Sequence, residues 1–150
     1  EVFAGYTDAA ETAAAFARGG WFRTGDLATI DAEGWLTITG RMTDVIIRGG
    51  ENIATAEVEA HCEAHPAVSQ AVAVGLPDER LGERVAVALL LGPGVPDDEI
   101  GVDALRAWFG LRGVARFKTP ERVVILDEMP TLPAGKPDRA AVRRLVTPGP

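Results

Sequence analysis

The chain has a single cysteine, Cys62, which excludes an internal disulfide and leads us to expect a fold held by its own core in a reducing, cytoplasmic setting. Lysine is almost as scarce: Lys118 and Lys136 are the only two among fifteen Lys and Arg residues, so each stands where arginine was not used. Long hydrophobic runs are missing. The longest, Val85 to Leu91, is far short of the ~20 residues that span a bilayer, so no membrane span is expected. Excess positive charge is missing too: the formal net charge is −7, which argues against a nucleic-acid or anionic-membrane partner. No secretory leader is visible. The chain opens at Glu1 without a methionine, and we expect it to be a piece of something longer. Neither GxxxxGK[ST] nor GxGxxG occurs, and no Ser or Cys has a convincing base, which removes the common phosphate loops and nucleophilic triads.

What is present, at 150 residues and 47% hydrophobic, suffices for one domain, or one domain plus a fragment of another. An Ala-rich helix is predicted over Asp8 to Ala17, broken by Gly19-Gly20. Leu27–Ile30 and Trp35–Thr39 read as strands joined by Asp31–Gly34; pairing Ile30 with Trp35 sets Asp26 opposite Thr39, with Asp26 and Arg41 emerging at one end of the hairpin. Arg41–Thr43 reads as a connector at a domain boundary. A second hairpin follows, Asp44–Arg48 and Glu51–Ile53, turned by Gly49-Gly50, where positive φ is needed. Thr55 is the expected cap of a helix ending at His65-Pro66. Strands are predicted at Gln70–Leu76, Arg84–Leu91 and Arg122–Leu126, with helices at Asp103–Leu111 and Asp138–Val146. The fold class is α+β: a small mixed or antiparallel sheet flanked by helices and preceded by two β-hairpins.

Four sets of residues have chemical potential. Asp26 and Arg41 have the donor and acceptor pattern that holds a ribose diol, but spacing alone favours an ion pair closing the hairpin. His61, Cys62 and His65 have a metal-ligand spacing, yet with Val58 they also trace an inward helical stripe; packing is the preferred reading, and no metal is assigned. Gly49-Gly50 is a turn first, and a bare backbone for a ligand second. Lys136, in Leu132-Pro-Ala-Gly-Lys136, is a compact ammonium suited to developing negative charge; Arg139, Arg143 and Arg144 after it read as a solvated helix face.

In sequence order, Gly5-Tyr6, Trp21-Phe-Arg-Thr-Gly-Asp26, Gly40-Arg-Met-Thr-Asp-Val-Ile-Ile-Arg-Gly-Gly-Glu-Asn-Ile53, Glu57-Val-Glu59, His65-Pro66, Val74-Gly-Leu-Pro-Asp78 and Leu132-Pro-Ala-Gly-Lys136 resemble the acyl-adenylate-forming superfamily, and specifically the C-terminal part of an acyl-CoA synthetase. The resemblance implies that residues 1–40 are the tail of a large N-terminal adenylation domain, 41–43 a hinge at Thr43, and 44–150 the small C-terminal domain. It gives Asp26 and Arg41 to the nucleotide, Gly49 and Gly50 to the CoA channel, and Lys136 to adenylation as the catalytic residue. It implies ATP/AMP and CoA as cosubstrates, a carboxylic acid of the fatty-acid class as substrate, Mg2+ arriving with ATP but not held by this segment, and the N-terminal domain of the same protein as partner. The family's hinge residue is usually Asp or Lys and here is Thr43. Because the ATP-phosphate loop and acyl pocket lie upstream in the family, the segment alone is expected to be inactive. Two alternatives are a domain loading a carrier-protein pantetheine and a non-catalytic interaction module that keeps the fold.

Overall fold

The computed structural model describes residues 3–149 and divides between Thr43 and Asp44 into two compact units. In the first, α1 (Ala9–Ala15) is started by Asp8, whose carboxylate accepts from the Ala10 and Glu11 amides at 2.6 and 3.3 Å. It is two residues shorter at its end than the alanine run predicts, because Phe16 turns extended and bridges to Phe22. Strands β1 (Asp26–Ile30) and β2 (Leu36–Arg41) form an antiparallel hairpin.

Its register differs from the predicted one. Ile30 faces Leu36, not Trp35, because the Asp31 carboxylate takes the Trp35 and Glu33 amides at 2.7 and 3.1 Å and makes Asp31 and Trp35 the ends of the loop. A bulge between Leu27 and Ala28 then skips Thr39, and Asp26 sits opposite Arg41. None of the described residues of this unit is buried; Ile30, Trp35, Leu36 and Ile38 are all exposed.

The second unit contains β3 (Val45–Arg48), β4 (Glu51–Ala54), α2 (Thr55–Glu63), β5 (Val68–Asp78), β6 (Gly82–Leu91), α3 (Val102–Leu111), a 3-10 turn (Arg116–Lys118), β7 (Arg122–Ile125) and α4 (Arg139–Val146). The five strands form one mixed sheet in the order β4-β3-β6-β5, with β7 lying parallel to β6 beyond its contact with β3. The second hairpin therefore forms the sheet's edge, joined to β6 at Arg48 and Gly82.

The apolar run explains the layering. Val85, Val87 and Leu89 of β6 face a core with Ile46, Ile53, Val58, Leu105 and Phe109, under α2 and α3. Ala86 and Ala88 face the opposite core with Val72, Val74, Met129, Val142 and Val146, under α4. A strand covered on both sides has no need of alternating polarity, so it reads as one hydrophobic stretch.

Thr55 does not cap α2. Its amide donates to the Asp44 carbonyl at 3.0 Å, continuing the β3–β4 ladder, so strand passes into helix with Ala54 at the cap position and no side-chain cap bond. The Thr55 hydroxyl is buried without a partner. The β5–β6 turn is tighter than predicted. Pro77 and Asp78 belong to β5, and the Asp78 carboxylate takes the Arg80 and Leu81 amides at 3.1 and 2.9 Å. The Leu81 amide bond in particular holds its pKa below the usual carboxylate value.

Candidate functional site

In the first unit, the bulge that skips Thr39 brings Asp26 and Arg41 face to face, with Arg41 Nε 2.9 Å from Asp26 Oδ1. Their side chains are 56% and 23% exposed for Arg41 and Asp26, so the pair presents a guanidinium fork and a carboxylate to solvent. Beside it, the Met42 amide donates to the Gly25 carbonyl at 2.7 Å, holding the strand ends together. Thr43 is the last residue of this unit.

In the second unit, Gly49 and Gly50 form a two-residue turn between the paired residues Arg48 and Glu51, with φ of +58° and +88°. Both values lie in the left-handed region, which is why glycine is needed twice. A β-carbon on Gly50 would meet nothing within 4 Å, so the backbone there borders open space. The Gly49 amide donates to the Leu81 carbonyl at 2.7 Å, tying the turn to the sheet.

Beside this turn, the Arg48 guanidinium makes two bonds to Glu121, 2.9 and 3.0 Å. The hydrogen bond to Glu121 raises the Arg48 pKa, and its counterpart from Arg48 lowers that of Glu121. These two side chains line an open recess of about 430 Å³ together with Arg106, Arg116, Phe117 and Thr119. Three arginines around one recess, in a chain of net charge −7, were not visible as a set in the sequence.

Lys136 is exposed on a loop closed by its own backbone: the Leu132 amide donates to the Lys136 carbonyl at 2.7 Å, and the Gly135 amide, at φ +77°, to the Leu132 carbonyl at 2.8 Å. Asp138 closes the base, its amide donating to the Pro130 carbonyl and its carboxylate accepting from the Ala141 amide as the cap of α4. Among the described residues the Lys136 ammonium has no ion-pair partner. The other lysine, Lys118, is bound to Glu57 at 2.6 Å.

The solvated-face expectation for the arginines after Lys136 fails at Arg139. Its guanidinium meets Glu59 at 2.5 and 3.1 Å, Asp44 at 3.2 Å and the Ala73 carbonyl at 2.8 Å. Burial opposes this charge, but the hydrogen bond with Glu59 and the charges of Glu59 and Asp44 outweigh it, so the pKa is raised. Sequence gave no signal for this, since Glu59 is 80 residues away. Arg143 and Arg144 are exposed as expected, Arg143 lying 3.7 Å from Glu83.

The two histidines are engaged in packing, His61 within α2 and His65 just past its end, since the helix stops at Glu63 and not at His65. The His65 ring stacks edge-on against Trp108 and its Nδ1 accepts from the Ala67 amide at 3.2 Å, while His61 lies against Phe109. Cys62 is buried in the core under α2, and burial pushes its pKa up to about 12.

Comparison with known proteins gives the family. The model of the AMP-binding enzyme C-terminal domain matches residues 57–136, a stretch that ends on Lys136. The chain is 39% identical over 144 residues to a medium-chain fatty-acid–CoA ligase of Escherichia coli (strain K12), covering 95% of this chain and 25% of that protein. It is 40% identical over 145 residues to a 2,3-dihydroxybenzoate-AMP ligase of Bacillus subtilis (strain 168), covering 95% and 26%. Among solved structures, ATP-bound MatB of Rhodopseudomonas palustris superposes with a TM-score of 0.84 at 31% identity, over 96% of this chain and 28% of that one. The chain thus spans about a quarter of the length of the relatives it matches. It belongs to the AMP-binding enzyme C-terminal domain family, the C-terminal part of the adenylate-forming enzymes.

Proposed function

We propose that the chain is the C-terminal part of an ATP-dependent acid–thiol ligase: a carboxylate and ATP give acyl-AMP and pyrophosphate, and the thiol of CoA then displaces AMP to give the thioester. The observation that carries this reading is Lys136, an exposed ammonium with no ion-pair partner among the described residues, held on a loop closed by its own backbone, whereas the other lysine, Lys118, is bound to Glu57. A cation left free for a ligand can stabilise the charge that builds on the attacking carboxylate and α-phosphate oxygens. Asp26 and Arg41 hold the ribose in this scheme, and Mg2+ arrives with ATP. Residues 1–40 continue an N-terminal adenylation domain, Thr43 is the hinge, and 44–150 rotate to bring either Lys136 or the Gly49-Gly50 turn into use. The bare backbone at Gly50 accommodates the pantetheine arm, and the recess beside it, where Arg116 has no ion-pair partner among the described residues and Arg48 and Arg106 exchange Glu121 and Asp103 for the ligand, suits the phosphates of CoA. A fatty acid as substrate and a cytoplasmic location complete the reading; the likeness to a fatty-acid–CoA ligase supports the first.

The likeness to a 2,3-dihydroxybenzoate-AMP ligase at almost the same identity favours a second acceptor, the pantetheine of a carrier protein. The three-arginine recess speaks for CoA, which has more phosphate than a carrier's single phosphodiester. Assaying the full-length enzyme with CoA and with a holo carrier separates the two.

Lys136→Ala in the full-length enzyme carrying this segment tests the central reading. Pyrophosphate exchange is expected to fall by roughly 10²–10³, while thioester formation from supplied acyl-AMP and CoA persists. Unchanged exchange, or equal loss of both half-reactions, refutes it.

A further inference from the structure

The Lys136 loop is closed by its own backbone hydrogen bonds and runs directly into α4. Three sequence-distant groups converge on Arg139, the residue three places further on. Arg139 lies in the first turn of α4 and its side chain is 31% exposed. Its guanidinium reaches Asp44 at the start of the unit, Glu59 on α2 and the carbonyl of Ala73 on β5. The Glu59 carboxylate in turn accepts the Ala73 amide at 2.8 Å, so one carboxylate and one guanidinium satisfy both outward-facing backbone groups of Ala73 on the edge strand β5. Arg143, one turn further along α4, has a single 3.7 Å approach to Glu83 by comparison. The clamp is therefore concentrated at the end of α4 nearest Lys136.

We propose that Arg139 is a positioning residue for Lys136: it locks the root of the lysine loop to Asp44, Glu59 and Ala73, so that the ammonium is presented at a fixed place relative to the residue following Thr43. This rests on the adenylation role of Lys136 proposed above. Lysine substitutes only in part, because one ammonium lacks the planar fork that spans Glu59, Asp44 and a carbonyl at once. A loop whose base is loosened lets the ammonium wander, and a misplacement of about 1 Å can cost on the order of 10²-fold. The predicted defect is confined to the reaction that uses Lys136, which a general loss of stability would not be.

The experiment uses the full-length enzyme carrying this segment, with Lys136→Ala, Arg139→Ala, Arg139→Lys, their double variants and Glu59→Gln. Glu59→Gln keeps the size of the side chain, so it tests the clamp if Arg139→Ala does not fold. Pyrophosphate exchange and thioester formation from supplied acyl-AMP and CoA are measured separately, beside thermal melts. Arg139→Ala is expected to lower kcat of exchange about 10- to 100-fold, leave KM for ATP near its original value, and leave the thioester step within about two-fold. Arg139→Lys and Glu59→Gln should fall between. On a Lys136→Ala background, Arg139→Ala should cost nothing more. Equal loss in both half-reactions, or a multiplicative loss on the Lys136→Ala background, overturns the positioning role while leaving the function of Lys136 intact. Unchanged exchange in Lys136→Ala alone overturns both.

Discussion

The Glu83 carboxylate lies directly over Gly75: a β-carbon on Gly75 would sit 2.5 Å from Glu83 Oε1. That placement serves the Gly49-Gly50 turn. Strand β3 meets β6 only at Arg48 and Gly82, and Glu83 Oε2 takes the next amide, that of Ile47, at 2.9 Å. Gly75→Ala is expected to push the carboxylate aside and free the Ile47 amide, at about 1–2 kcal/mol for one charge-assisted bond. On a Glu83→Ala background the same change should be neutral or stabilising, since alanine suits a strand better than glycine. Denaturant melts of the four proteins decide it; additive costs would show that Glu83 and Gly75 do not act on one another.

For Asp26 the expected outcome separates nucleotide binding from stability. The Asp26–Arg41 pair is partly exposed, and such pairs contribute only about 0–1 kcal/mol to folding. A carboxylate that accepts both hydroxyls of a ribose loses on the order of 2–4 kcal/mol when removed. Asp26→Ala in the full-length enzyme should thus leave the melting temperature nearly unchanged and weaken ATP use strongly, seen with saturating acid and varied ATP. Unaltered kinetics would return Asp26 to a hairpin-closing ion pair.

How much of this was legible depended on the range of the interactions. The second hairpin was read correctly because Gly49-Gly50 encodes its turn locally, and both glycines take positive φ. The first hairpin was read one residue out because its loop is closed by the Asp31 side chain, whose bonds to Glu33 and Trp35 outweigh a count of loop length. Thr55 looked like a cap by residue type, but the ladder bond from its amide to Asp44 left it inside the helix. The reading of the histidines as packing agrees with their ring contacts to Trp108 and Phe109. Arg139 and the recess beside Arg48 were out of reach, because the bonds that build them join residues 66 to 95 positions apart. Lys136 was distinguished only by being a lysine in an arginine-rich chain and by its place in a family motif.

Cys62 gives a prediction with a pH sign. Its folded pKa of about 12 lies above that of a free thiol, about 8.5. Burial of the neutral thiol therefore contributes stability that is complete below the unfolded value and is lost as pH rises from there toward 12. At pH 8 the native protein should resist alkylation and should be labelled at once in denaturant. Rapid labelling without denaturant would mean that the α2 core opens readily.

The Gly49-Gly50 turn allows strain and obstruction to be distinguished within two adjacent residues. Both glycines have positive φ, so an L side chain at either costs about 1–2 kcal/mol. They differ in what a side chain meets: a β-carbon on Gly49 lies 3.5 Å from Leu81, whereas one on Gly50 faces open space. If that space is the path of the pantetheine arm, Gly50→Ala and Gly50→Leu should lose similar stability, yet the thioester step should fall much further in Gly50→Leu. Adenylation, which in the proposed scheme does not use the turn, should survive in both. Gly49→Ala supplies the control, with the same backbone strain and a side chain directed at the protein's own Leu81; its two half-reactions should track its melting temperature. Measuring pyrophosphate exchange and thioester formation for all three variants gives the answer. A thioester step that follows stability alone, regardless of side-chain size at position 50, would leave Gly50 a turn residue and remove it from the acceptor channel.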